Sequence, residues 1–236
     1  MKNIIHKSAG KLIMGATLML TLGGSFASAE TIFLDFTTTS SNPPPAGWQA
    51  VWYQYGEGNI AFNQGDLAQT FTTVLGSQTF TLQGGSGNAV GAYLNTSNAI
   101  PIMRDGFYFN MDASRSFSLS GFNEGDQISV YAISGWKGNA NAGVVTIGSE
   151  TTQALSVNFT SGTPTIDNFT LINSTPFVVG VDGLLTGSFN WDTVISGEGD
   201  IGGMIFVVTS IIPEPSAWLL LAGGVSLLAV LRRRCR

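Results

Sequence analysis

From residue 30 to residue 210 the sequence alternates apolar and small polar residues with a period of two, and this spacing constrains the fold more than any other feature. Leu155, Val157 and Phe159 alternate with Ser156 and Asn158, Phe117 and Leu119 alternate with Ser116 and Ser118, and Phe169 and Leu171 flank Thr170. Side chains two apart on an extended chain share a face, so each run reads as a strand with one dry side. The same reading covers 31–36, 49–55, 67–74, 78–82, 107–110, 127–134, 142–147, 177–181, 184–189 and 204–209. There is no heptad, no helical periodicity beyond two turns, and no repeat at solenoid spacing. Short strands divided by Gly, Asn and Asp turns predict an all-β, antiparallel β-sandwich of the jelly-roll-like kind. The stretches 40–47, with Pro43-Pro44-Pro45, 83–91 and 197–203 read as a loop, a loop and a flexible turn. They are too short to divide the region, so 30–210 is one domain.

The two ends read differently. Met1 to Ala29 has the three parts of a secretory signal peptide: Lys2, Lys7 and Lys11 in front, an apolar run from Leu12 to Leu22, and the small residues Ala27-Ser28-Ala29. Eleven residues of helix reach only about 16 Å, against a hydrocarbon core of roughly 30 Å, so a cleaved signal is expected, with Glu30 as the first mature residue. At the other end, 211–236 combines Pro213-Glu214-Pro215, the uncharged stretch Ala217 to Leu231, and the cluster Arg232, Arg233, Arg234 and Arg236 around Cys235. The prolines fix φ and push the residues before them towards extended geometry, a form that suits a processing enzyme. Fifteen apolar or small residues make a short transmembrane helix of about 22 Å. Its basic end is expected to stay cytoplasmic, leaving the body outside.

This tail resembles the PEP-CTERM sorting signal, carried by substrates of the bacterial membrane transpeptidase-like enzymes called exosortases. The resemblance covers Ile212 to Arg236 and rests on three ordered parts at the terminus, paired with a signal peptide. It implies that an exosortase recognises Pro213, Glu214 and Pro215, removes the helix, and delivers the body to the cell surface or an exopolysaccharide matrix. Until then the chain is held in the inner membrane. Cys235 interrupts the usual arginine run.

Removing both ends changes the charge. The whole chain carries −5, but 30–212 holds only Arg104, Arg115 and Lys137 against fourteen acidic groups, a balance of −11. Such a surface repels phosphates, which argues against nucleic acid as a partner. The one Cys is Cys235 and the one His is His6. The body therefore has no disulfide framework, no Cys/His zinc site and no triad of the Ser-His or Cys-His kind.

A second resemblance, to galactose-binding-like jelly-roll modules, is carried by Ser116 to Gly135, where a Gly-Phe-Asn-Glu-Gly turn joins two strands, with Phe33-Leu34-Asp35-Phe36, Gly47-Trp48 and Gly203-Met204-Ile205-Phe206 in compatible places. It speaks to fold more than to function. Glu124-Gly125-Asp126 and Glu198-Gly199-Asp200 supply carboxylates of the kind glycosidases use. Both lie in expected Gly-bearing turns, and Ser129 and Gly203 stand where a third carboxylate belongs, so no catalytic residue is assigned. The same acidic turns have the donor chemistry for a structural Ca²⁺, but without EF-hand spacing no metal ligand and no cofactor is named. Sugar faces stack on aromatic rings at loop tips, which makes Trp136, Trp191 and Trp48 the candidate glycan contacts, with core packing the competing role for Trp48. The expectation is a non-enzymatic envelope or matrix protein associated with polysaccharide. A carboxylate-dependent glycan-active enzyme and a purely structural surface component are the alternatives.

Overall fold

A computed structural model describes residues 27–37, 44–52, 67–83, 90–94, 102, 105–110, 114–135, 142–155, 157, 162–190 and 198–211. All lie within one unit, Phe26–Ile212. The strands are β1 (Ala27–Thr37), β2 (Gln49–Trp52), β3 (Leu67–Thr73), β4 (Gly76–Leu82), β5 (Val90–Leu94), β6 (Asp105–Asn110), β7 (Arg115–Ser120) and β8 (Gln127–Ile133). They continue with β9 (Val144–Ile147), β10 (Glu150–Gln153), β11 (Thr170–Leu171), β12 (Phe177–Val178), β13 (Leu184–Asn190), β14 (Glu198–Ile201) and β15 (Gly203–Ile211). A 3-10 turn, Ile166–Asn168, precedes β11.

The strands form three sheets. The first runs β11-β8-β15-β1-β2, with β12 also on β8; the second runs β10-β9-β13-β7-β4-β3; and β14-β6-β5 form a third. Among the described strands every pairing is antiparallel except that of β1 with β2, and one isolated parallel bridge joins Ala142 to Asp200. The alternation in sequence decides which side chains turn inward. Ile32, Leu34 and Phe36 of β1, Ile128 and Val130 of β8, and Met204, Phe206 and Val208 of β15 are buried in the same core cluster as Phe80, Phe117, Leu119, Leu185 and Phe189 of the second sheet. The protein is thus an all-β structure of packed antiparallel sheets.

Aromatic rings fill the middle. Phe36 lies 4.6 Å from Phe107 of β6 and 5.5 Å from Phe80, and Phe117 stacks on Phe189 at 4.5 Å. That stack requires Gly187, because a Cβ there would come within 2.5 Å of Phe117 Cζ and 2.7 Å of Ile147 Cδ1. The outer face of the first sheet carries a second cluster, in which Trp48, Ile102, Ile133, Phe169 and Ile205 are buried.

Polar groups tie the layers together. Glu30 of β1 accepts hydrogen bonds from Val74 N–H at 2.9 Å, Leu75 N–H at 3.0 Å and Thr73 Oγ1 at 3.0 Å, gripping the β3–β4 turn. The break between β11 and β12 is bridged by buried Asn173, whose Oδ1 accepts from Val130 N–H at 2.6 Å while its Nδ2 donates to Ile128 O at 2.9 Å. A side-chain amide here takes the place of a strand's backbone beside β8, as buried peptide groups require a partner.

Three expectations from the sequence need correction. The stretch 197–203, read as a flexible turn, contains β14, in register with β6 from Glu198↔Asn110 to Ile201↔Phe107. The loop expected to end at residue 91 gives way to β5 at Val90. The strand expected at Leu155, Val157 and Phe159 is absent from the described part of that run; β10 lies before it, and Val157 is 38% exposed.

Candidate functional site

The outer face of the second sheet is built mainly from hydroxyl residues, set in rows by strand register. Thr81 of β4 stands opposite Ser118 of β7, and Ser118 opposite Thr186 of β13. In the next row Ser116 stands opposite Ser188, and Ser188 opposite Thr146 of β9. Neighbouring strands lie about 4.8 Å apart, so the side chains of a row are adjacent. Period two puts them outside for the same reason it puts Phe117, Leu119, Leu185 and Phe189 inside.

These rows line a groove of about 540 Å³, with Gln83 and Gly148 at its margins. No Asp, Glu, Lys or Arg stands on this face among the described residues. At its flanks hydroxyls bond to each other: Thr70 Oγ1 lies 2.8 Å from Thr79 Oγ1, and Thr146 Oγ1 lies 2.9 Å from Thr151 Oγ1. The hydroxyls of Thr81, Ser116, Ser118 and Thr186 are used by no other group among the described residues, and each retains a donor and two acceptor sites. The surface is chemically suited to an uncharged, hydroxyl-rich chain.

The residues singled out from the sequence fall elsewhere. Trp48 is only 8% exposed; its ring stacks on Phe169 at 5.7 Å and meets Phe33 at 5.0 Å. Its apolar area is spent on packing, which corrects its expected role as a glycan contact. Trp136 and Trp191 lie outside the described residues, as do Pro213, Glu214 and Pro215 and the cluster Arg232, Arg233, Arg234 and Arg236. In sequence, Trp191 directly follows Asn190, the last residue of β13, and Trp136 follows Gly135.

The two acidic triplets differ. Glu124 is exposed at the β7–β8 turn, and Asp126 is buried with Oδ2 accepting from Asn123 N–H at 2.9 Å. Asp200 is buried within β14, where Oδ1 accepts from Ser134 Oγ and from Gly135 N–H at 2.9 Å. Among the described residues no three His, Cys, Asp or Glu side chains converge as metal ligands. Backbone geometry adds one feature at the ends of the described region: Ala27-Ser28-Ala29 opens β1 and pairs with Ile211, Ser210 and Thr209, the last residues of β15. In comparisons with known proteins, no family model, no curated protein and no solved structure matches the chain.

The hydroxyl rows were present in the sequence as the polar half of each alternation. What the sequence lacked was register, which alone shows that Thr81, Ser118 and Thr186 stand side by side although they are distant in the chain.

Proposed function

We propose that this is an exported, non-enzymatic protein of the bacterial cell envelope or extracellular matrix that associates with exopolysaccharide through the hydroxyl-lined groove of its second sheet. Residues 1–29 direct export, and an exosortase acts on the segment bearing Pro213, Glu214 and Pro215. The body between them is a jelly-roll-like sandwich. The observation that carries the binding role is the contrast in charge: a body of net −11 presents one broad face with no charged group among its described residues. A neutral polysaccharide approaches that face without electrostatic cost, and its hydroxyls find donors and acceptors that the fold does not use. Trp191, next in the chain after β13, supplies an aromatic face close in sequence to Ser188.

The test is co-sedimentation of the mature protein with the exopolysaccharide of its own cells. Thr186→Glu together with Ser118→Glu should weaken binding at least tenfold, equivalent to about 1.4 kcal/mol. Thr72→Glu, on the same sheet outside the groove, should leave it unchanged. Absence of binding by the wild type would remove the polysaccharide role, and turnover of the polymer would replace it with an enzymatic one. Mass spectrometry of the mature envelope protein tests the sorting half: a chain retaining Leu219 to Arg236 would overturn it.

A further inference from the structure

The groove on the second sheet has a direction, and strand register sets it. Its floor is one inward-facing row, Leu82 of β4, Phe117 of β7, Gly187 of β13 and Ile147 of β9, each opposite the next. Leu82, Phe117 and Ile147 turn their side chains into the core and Gly187 has none, so only backbone faces outward along this row. The outward rows on either side are the walls, Thr81, Ser118 and Thr186 on one and Ser116, Ser188 and Thr146 on the other. Four strands at a spacing of about 4.8 Å make the trough about 14 Å long across the sheet, whereas its walls, two residues apart along each strand, stand about 7 Å from each other. A chain seated in the trough therefore lies across the strands. Running along them, it would have to climb over both walls.

Both ends of the trough are open. On β3 the Thr81 wall continues as exposed Ala68, opposite Thr81. On β9 it ends at Gly148, where a Cβ would meet nothing within 4 Å. Beyond the floor at that end Glu150 stands opposite Ile147, but its carboxylate is engaged by the N–H groups of Ser174 and Thr175 and does not bar the exit.

We propose that the trough binds internal segments of an unbranched, neutral chain of equatorially linked hexoses, about three sugars on about 14 Å, laid across β4, β7, β13 and β9. This deepens the polysaccharide reading above and rests on it. Such a chain is a flat ribbon that advances by nearly one strand spacing per sugar, so successive rings meet successive strands. Its equatorial hydroxyls leave the ribbon at both edges, where each wall offers hydroxyls that donate and accept. The bare floor leaves space for the ring faces. A chain joined through flexible or axial linkages coils away from this register. Open ends admit the middle of a polymer, which a closed pocket for a terminal sugar would not.

The experiment is isothermal titration of the mature protein with soluble β-1,4-linked glucomannan, with a trisaccharide cut from it, and with α-1,6-linked dextran. Binding of the glucomannan and its trisaccharide without binding of dextran is the expected result. Ala68→Ile puts a branched side chain in the exit over β3, and a strand accommodates one. It should weaken the long chain by about fivefold or more while leaving the trisaccharide unchanged, a difference that misfolding would not produce. Ser120→Ile, which adds the same bulk beside the trough along β7, should change neither. Dextran bound as tightly as glucomannan would overturn the proposal. So would a long chain indifferent to Ala68→Ile, or one weakened by Ser120→Ile instead, since the polymer would then follow the strands. If the exopolysaccharide of the cells binds and glucomannan does not, the extended-chain class is wrong while the binding role stands. If neither binds, the polysaccharide reading itself fails, and the two failures are distinguishable.

Discussion

Glu150 stands at the start of β10, and its carboxylate accepts hydrogen bonds from Thr175 N–H at 2.9 Å, Ser174 Oγ at 2.7 Å and Ser174 N–H at 2.6 Å. These bonds favour the ionised form, the Thr175 backbone bond most strongly, and hold its pKa below the ordinary 4.5. A carboxylate whose folded-state pKa is depressed adds stability that is fully present above its unfolded value and is lost as the pH falls through the folded one. Glu150→Gln should therefore lower the melting temperature at neutral pH. The gap between variant and wild type should close as the pH is taken below 4.5, which thermal melts across pH 3 to 7 will read. Gly187 gives a prediction of the opposite kind. Its missing Cβ leaves room for Phe117 and Ile147, so Gly187→Ala should destabilise the body by about 1–3 kcal/mol through overpacking, measured by denaturant unfolding. Neither residue is conspicuous in sequence. Glu150 looks like one acid among fourteen in the body, and Gly187 like a glycine without special role inside the expected strand 184–189.

Elements were legible where burial imposed a pattern. β4 and β7 alternate cleanly, because one face meets the core and the other does not. β10 escaped notice because Glu-Thr-Thr-Gln has no apolar residue, and an edge strand needs none. β14 and β5 escaped because Gly199 and Gly91 within them read as turn signals, although Gly within a strand also marks close backbone approach. The isolated bridge between Ala142 and Asp200, with Gly143 N–H donating to Asp200 O at 2.9 Å, is such an approach. A Cβ on Gly143 would lie 2.8 Å from that same oxygen. Gly143→Val should therefore disturb the end of β14 and shift the envelope of amide exchange there: faster exchange at Asp200 and Ile201 is expected, with the β3–β4 hairpin unchanged. The groove belongs to this scale as well, since its rows exist only once strands are in register.

At the scale of the whole molecule, charge and shape separate two kinds of association. With a balance of −11 the body attracts any cationic surface, an attraction that salt screens within a Debye length of about 10 Å at 0.1 M. The hydroxyl face works differently, because its lining residues Thr81, Ser116, Ser118 and Thr186 carry no charge and exchange hydrogen bonds with water for hydrogen bonds with a ligand. Binding through that face should be nearly insensitive to ionic strength, whereas adsorption driven by net charge should fall steeply. The comparison is direct: co-sedimentation with the exopolysaccharide at 0.05 M and 0.5 M NaCl, beside retention on a cationic resin over the same range. Equal binding at both salt concentrations, with loss of resin retention, is the expected outcome. Parallel loss of both would show that the polymer is held by the acidic surface as a whole, and the groove would then have no part in it.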